Sequence, residues 1–289
     1  MKNILVATDF SNNAYCALFY ATQLLKSKPC KFFLLNTFNE LTPLNGKSTP
    51  LIGNKKLMRQ LQTESEEGLT RTSYKIVLDN DNTEHSFETI SRKGDLVKTI
   101  IKLIGKKKID LVVMGNKGLT GAKDIFFGSN TVQVVNFMTK CPVLAIPGEM
   151  DFIVPKEIAF VTDYKKGCHS ETIAPLLFLG SLSNASIRVT HINEGRPLNK
   201  EQETNQKHLG ECLKTFEHSF HQISDFDDKA TAIDDFLDKS KVQLFAMVHN
   251  KRSLFERLMR EPVIKDVSMY SNVPFLVLPV QKGEKENRE

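Results

Sequence analysis

Apolar residues fall along this chain in two alternating rhythms: short unbroken runs, and longer segments in which they recur every three or four positions. Lys2 to Thr8 is the first run and reads as a short buried strand. Ser11 is a good helix N-cap, and Ala14, Ala17, Leu18, Ala21, Leu24 and Leu25 follow at helical spacing. Pro29 ends that helix and Lys31 to Phe38 reads as a second strand, so the chain opens with a βαβ unit of parallel strands. Residues 39–55 are polar and hold Pro43, Gly46, Pro50 and Gly53, the profile of a loop. Leu57, Met58, Leu61, Gly68 and Leu69 mark a second helix. Tyr74 to Leu78 and His85 to Ile90 alternate like strands across the turn 79–82, so one or both supply the third strand. Gly94-Asp95 then leads a helix that buries Leu96, Val97, Ile100, Ile101 and Ile104.

The stretch from Ile109 to Ser129 organises the first half. An apolar run ending at Met114 breaks into Gly115, Gly118, Gly121 and Gly128, and a helix carrying Val132, Val135 and Met138 begins at Ser129. Cys141 to Pro147 is a fifth strand whose flanking prolines suit a sheet edge. The second half repeats this pattern. Ile158 to Tyr164 looks like Leu5 to Phe10, Ile187 to Ile192 stands where the second strand stood, Gln243 to Asn250 where the fourth stood, and Val273 to Pro279 mirrors the fifth. Its middle reads as shorter, with one clear helix over Gln202 to Phe220. An internal duplication is the simplest account. It predicts units at 1–149 and 154–281 joined by a linker around 148–155, and a disordered tail at 282–289 that is too charged to pack.

Composition narrows the picture. The chain has 289 residues, 40% hydrophobic and 25% charged, which is globular and leaves room for two domains. Thr8-Asp9 cuts the first apolar run and no stretch approaches the roughly 20 apolar residues of a membrane span. Neither a signal peptide nor a membrane helix is expected, and the expected location is cytoplasmic. The net charge of +5 is spread out and there is no Trp, so nucleic acid is not an expected partner. Cys16, Cys30, Cys141, Cys168 and Cys212 form no C-x-x-C pair and fit reduced thiols.

Strand, glycine loop and helix together make a phosphate cradle. Glycines let backbone N–H groups approach an anion closely, and the helix at Ser129 adds its unpaired N–H groups and positive dipole end. Alternating strands and helices argue for a doubly wound parallel sheet, in which ligands sit beyond the carboxyl ends of the strands where the strand order reverses. Asp9 and Gly115 stand at two such ends, although an Asp after a strand also serves as a turn or cap residue. His208, Cys212, His218 and His221 invite a metal reading, but on a helix carrying Leu209, Leu213, Phe216 and Phe220 both His218 and His221 lie off the apolar face. No P-loop, G-x-S-x-G or H-E-x-x-H pattern is present, and no second carboxylate pairs with Asp9.

The spacing Gly115-x2-Gly118-x9-Gly128-Ser129, after Asp110 to Met114, resembles the G-x2-G-x9-G-[S/T] signature of nucleotide-binding members of the universal stress protein family. The resemblance implies two doubly wound five-stranded parallel sheets with strand order 3-2-1-4-5, adenine nucleotide alpha hydrolase-like. It implies that Asp9 lies near the adenosine, that the backbone at Thr37 and Met114 borders the base, and that Gly115, Gly118, Gly128, Ser129 and Asn130 hold the ribose and phosphates. ATP, with or without magnesium, is then a sensory or regulatory ligand rather than a substrate turned over efficiently. Two rivals stay open, a scaffold acting through protein contacts and a slow ATP hydrolase. The resemblance also implies pairing through the fifth strands, either between two chains as a homodimer or between the halves of one. Placing His249 to Arg252 against Gly115 to Gly118, and Arg260-Glu261-Pro262 against Gly128-Ser129-Asn130, removes every cradle glycine from the second half. One nucleotide per chain is expected.

Overall fold

A computed structural model describes residues 1–39, 55–116, 128–148, 150–166, 168–193, 195–224, 229–249 and 273–280. The first half runs β1 (Lys2–Ala7), α1 (Asn12–Leu24), β2 (Cys30–Phe38), α2 (Lys55–Asp79), β3 (Ser86–Lys93), α3 (Leu96–Lys107), β4 (Leu111–Gly115), α4 (Ser129–Phe137) and β5 (Val143–Ile146). The second runs β6 (Glu157–Thr162), α5 (Ser170–Ser181), β7 (Ser186–Ile192), α6 (Lys200–Leu213), β8 (His218–Ile223), α7 (Lys229–Lys239), β9 (Leu244–His249) and β10 (Phe275–Pro279). All ten strands form one sheet in the order β3-β2-β1-β4-β5-β10-β9-β6-β7-β8. Each half therefore has the order 3-2-1-4-5, and every pairing is parallel except that of β5 with β10.

The strands alternate between two faces, and each face is covered by helices. Ile4, Val6, Phe32 and Leu34 pack with Ala17 and Leu18 of α1 and Leu69 and Ile76 of α2. Leu5, Ala7, Phe33, Leu35, Val112 and Met114 pack on the other face with Ile100 of α3 and Val134 and Val135 of α4. A strand with apolar residues on both sides has no polar period, which is why β1 and β4 read as unbroken runs.

Four expectations are corrected. Tyr74 to Leu78 belongs to α2, and the third strand is Ser86–Lys93 alone. Tyr74, Val77 and Leu78 are exposed, so the apolar alternation there is on solvent and marks no strand. The helix expected over Gln202 to Phe220 stops at Leu213, and His218 and His221 lie on strand β8. The middle of the second half holds two helices rather than one clear helix, because α6 and α7 both lie between β7 and β9. Finally, β5 is not an edge. Its residues Val143, Leu144 and Ala145 pair with Val277, Leu276 and Phe275 at the centre of the sheet, and Pro142 and Pro147 fall outside the strand.

The turn before β3 holds a buried imidazole. His85 Nε2 stands 3.2 Å from the Thr22 carbonyl oxygen and 3.3 Å from Asn82 Nδ2. Its ring meets Phe32 edge-on at 5.0 Å. Burial pushes its pKa below the ordinary 6.5, against the opposing pull of the Thr22 bond and of the Glu84 charge. The unfolded chain then takes up the proton before the folded one does. Stability is expected to be full above about pH 6.5 and to fall as the pH drops below it. Urea unfolding midpoints from pH 7.5 to 5 check this; a His85→Gln variant should lose part of that slope, and an unchanged slope would refute the assignment.

Candidate functional site

Register brings the predicted residues to one end of the sheet. Ala7 is level with Leu35 on β2, and Val6 with Val113 on β4. Continuing each strand, Asp9 comes level with Thr37, and Gly115 with Thr8. Met114 is buried one position below, Asp9 and Thr37 are half-buried, and Ser129 and Asn130 are exposed at the start of α4. By strand alternation Asp9, Thr37 and Met114 belong to the face covered by α3 and α4. Seven of the eight candidate residues thus meet at this edge. The eighth, Gly118, lies outside the described residues, as do Gly121, the 282–289 tail and residues 250–252 and 260–262.

Among the described residues no side chain caps the helix that starts there. Gly128 is the N-cap of α4, with φ −62° and ψ 151° and no side-chain hydrogen bond. The first intrahelical bond runs from Val132 N to Gly128 O at 3.0 Å, so the N–H groups of Ser129, Asn130 and Thr131 precede the ladder. Two backbone bonds tie this helix start to the strands: Asn116 N donates to Ile146 O at 2.7 Å, and Gly128 N donates to Asn116 O at 2.5 Å. Thr131 adds a third tie by donating its hydroxyl to Gly115 O at 2.9 Å. The result is a fixed array of donors at the positive end of a helix, which suits an anion.

The glycines serve a different need from the one anticipated. Gly128 has an ordinary extended φ, and Gly115 does not lie in the left-handed region. A Cβ at Gly115 would sit 3.0 Å from Asn13 O and 3.1 Å from Asn13 C. Gly115 is glycine because the first turn of α1 passes directly over it. Gly115→Val should therefore destabilise the protein by about 1–3 kcal/mol through overpacking. Thermal unfolding of that variant checks this, and a wild-type midpoint would contradict it.

Asp9 holds a local structure as well as a place at the edge. Its Oδ1 accepts from Ser11 N at 3.1 Å and from Ser11 Oγ at 2.6 Å, while Ser11 Oγ caps α1 by accepting from Ala14 N at 3.2 Å. The same turn recurs in the second half, where Asp163 Oδ1 accepts from Lys165 N at 3.0 Å. Phe10 and Tyr164 both take left-handed φ values, 65° and 56°. Thr8 and Thr162 each accept through their hydroxyl from the next residue but one at 3.0 Å.

The register also corrects the comparison of the halves. Ile4 pairs with Leu111 and Ile158 with Leu244, so the counterpart of Gly115 is Val248, and His249 answers to Asn116. Helix α5 begins seven residues after Asp163, whereas α1 begins three after Asp9, so no early turn of helix demands a glycine at Val248. On the same edge Thr37 and Arg92 are replaced by Ile192 and Ile223, which pack into the apolar core. Sequence reasoning passed over Asn13, Asn116 and Thr131; only Asn116, inside the glycine pattern, carried a signal.

Cys30 and Cys141 are poor nucleophiles. Burial pushes Cys30 up to about 11 and Cys141 up to about 12. Among the described residues no three His, Cys, Asp or Glu side chains are placed to hold a metal ion, and no helix is long and apolar enough to cross a membrane.

An α/β sheet whose strand order reverses between β1 and β4, with a helix N-terminus at that crevice, is a doubly wound fold with its switch point at this edge. The universal stress protein family model matches residues 1–147, and the chain belongs to that family. A universal stress protein of Methanocaldococcus jannaschii is 26% identical over 156 residues, covering 50% of this chain and 94% of its own length. The crystal structure of a universal stress protein from Archaeoglobus fulgidus superposes with a TM-score of 0.72 at 20% identity, over 97% of both chains. A Pseudomonas aeruginosa structure described as a putative universal stress protein matches at 0.52 and 14% identity, over 96% of this chain and 93% of its own.

Proposed function

We propose that this protein binds one adenine nucleotide, ATP, as a sensory or regulatory ligand, in the crevice where Asp9, Thr37, Met114, Gly115, Gly128, Ser129 and Asn130 meet, with Gly118 of the glycine pattern as a further ligand contact. The observation that carries the reading is the uncapped start of α4, held against the ends of β4 and β5 by the two backbone bonds of Asn116. Three N–H groups and a helix dipole face a crevice with a carboxylate and a hydroxyl across it, and a phosphorylated nucleoside uses both ends of such a site. In this reading the chain is a fused pair of domains, 1–149 and 154–281, whose fifth strands pair within the chain.

The second domain is retained for packing, for dimerisation or for binding something uncharged. Its edge is apolar at Ile192 and Ile223 where the first is polar, which supports one ligand rather than two. No residue is assigned to a general base or a nucleophile, and turnover is not part of the proposal. The test is to purify the protein gently and to identify by mass spectrometry what is released on denaturation. An adenine nucleotide at about one per chain supports the reading; no nucleotide, together with no ATP uptake in equilibrium dialysis, rejects it in favour of a scaffold.

A further inference from the structure

Asn116 carries an unmet requirement. The residue is 3% exposed, its Oδ1 is buried, and among the described residues nothing donates to it. Leaving such an acceptor unpaired is costly, and native structures keep few of them. Its backbone is pinned on both sides, by Ile146 O and by Gly128 N, so the side chain cannot swing away by moving the chain. Strand alternation puts it on the face of Val112 and Met114, the face that α4 covers.

Building on the nucleotide reading above, we infer that Asn116 is a specificity-determining residue that hydrogen-bonds a ribose hydroxyl. Its place in the crevice selects that group. On that reading the base borders Met114 and the phosphates meet the helix start at Ser129, and Asn116 follows Met114 by two residues on the same face, between the two, where a nucleotide spanning them would present its sugar. Phosphate oxygens only accept, so they cannot satisfy an orphaned carbonyl oxygen. A hydroxyl both donates and accepts, so it satisfies the amide whichever way its oxygen and nitrogen are turned. The second half has His249 at the same register position, a ring of different reach.

The test is a double-mutant cycle between protein and ligand by isothermal titration, using wild type, Asn116→Ala and Asn116→Leu with ATP and with 2′,3′-dideoxy-ATP. Wild type should prefer ATP by about 5- to 20-fold, the range expected of one hydrogen bond to a buried polar group. Both variants should lose that preference while binding the dideoxy analogue as wild type does. The thermal midpoint of the ligand-free Asn116→Leu protein should be unchanged or raised, because an orphaned acceptor has been removed; a lowered midpoint would mark a purely structural residue and overturn the inference. Variants that keep the full preference for ATP, or that weaken both ligands equally, overturn it as well. Wild type that binds neither ligand rejects the nucleotide reading itself, and the inference with it.

Discussion

Replacing Ser129 by Asp is expected to weaken ATP binding by about a hundredfold while leaving the protein as stable as before, or slightly more so. The two effects have opposite signs because one helix end serves both. An acidic residue in the first turn of α4 interacts favourably with the helix dipole, worth about 0.3–1 kcal/mol at an exposed position, and Ser129 is exposed with no side-chain cap to lose. The same carboxylate would lie beside the phosphates. Two unit charges about 5 Å apart at an effective dielectric near 20 repel by about 3 kcal/mol, roughly a hundredfold in affinity. Thermal unfolding and titration of the same preparation separate the effects. Undiminished binding would move the phosphate away from this helix.

The second large effect lies at the centre of the sheet. Leu144 and Leu276 are register partners across the antiparallel β5–β10 junction and both are 0% exposed. Leu276→Asp buries a carboxylate with no partner in the apolar cluster that holds Leu144, Ala246 and Leu278, and is expected to cost at least about 4 kcal/mol, a large fraction of an ordinary domain's stability. Leu276→Ala should cost about 2–5 kcal/mol, and the double variant with Leu144→Ala should be non-additive because the two side chains share one space. Urea unfolding reads all three. A Leu276→Asp protein with the wild-type midpoint would mean that the halves do not join through these strands.

Much of the fold was legible because buried parallel strands leave a strong mark. Ile4 to Ala7 and Leu111 to Met114 are unbroken apolar runs that could belong to little else, and Ser11 and Asp95 cap the helices that follow them through their own side chains. What failed shared a physical cause, namely that local spacing says nothing of what faces solvent. Tyr74, Val77 and Leu78 mimic a strand but are the exposed side of a 25-residue helix. Phe216 and Phe220 continue the spacing of Leu209 and Leu213 past a helix that ends at Leu213, and Phe220 sits on the outermost strand. The prolines around β5 suggested an edge, yet they bracket the strand and leave its ladder intact.

At the candidate site, the glycine pattern names residues that the register also brings to one edge, but it misses why one of them is glycine. Gly115, Gly128 and Ser129 share that edge, and the glycine at 115 answers to the backbone of Asn13, a contact that no local window contains. Comparing the halves by eye set His249 against Gly115, one residue out of step with the register that pairs Ile158 with Leu244. That single step makes the histidine the counterpart of Asn116 rather than of Gly115.

The central claim is that the first half of this chain holds one adenine nucleotide at the start of α4. Isothermal titration of the full-length wild-type protein with ATP tests it most directly. The account predicts a single class of sites at one ATP per chain; two equivalent sites per chain, or no heat and no uptake at millimolar ATP, would contradict it.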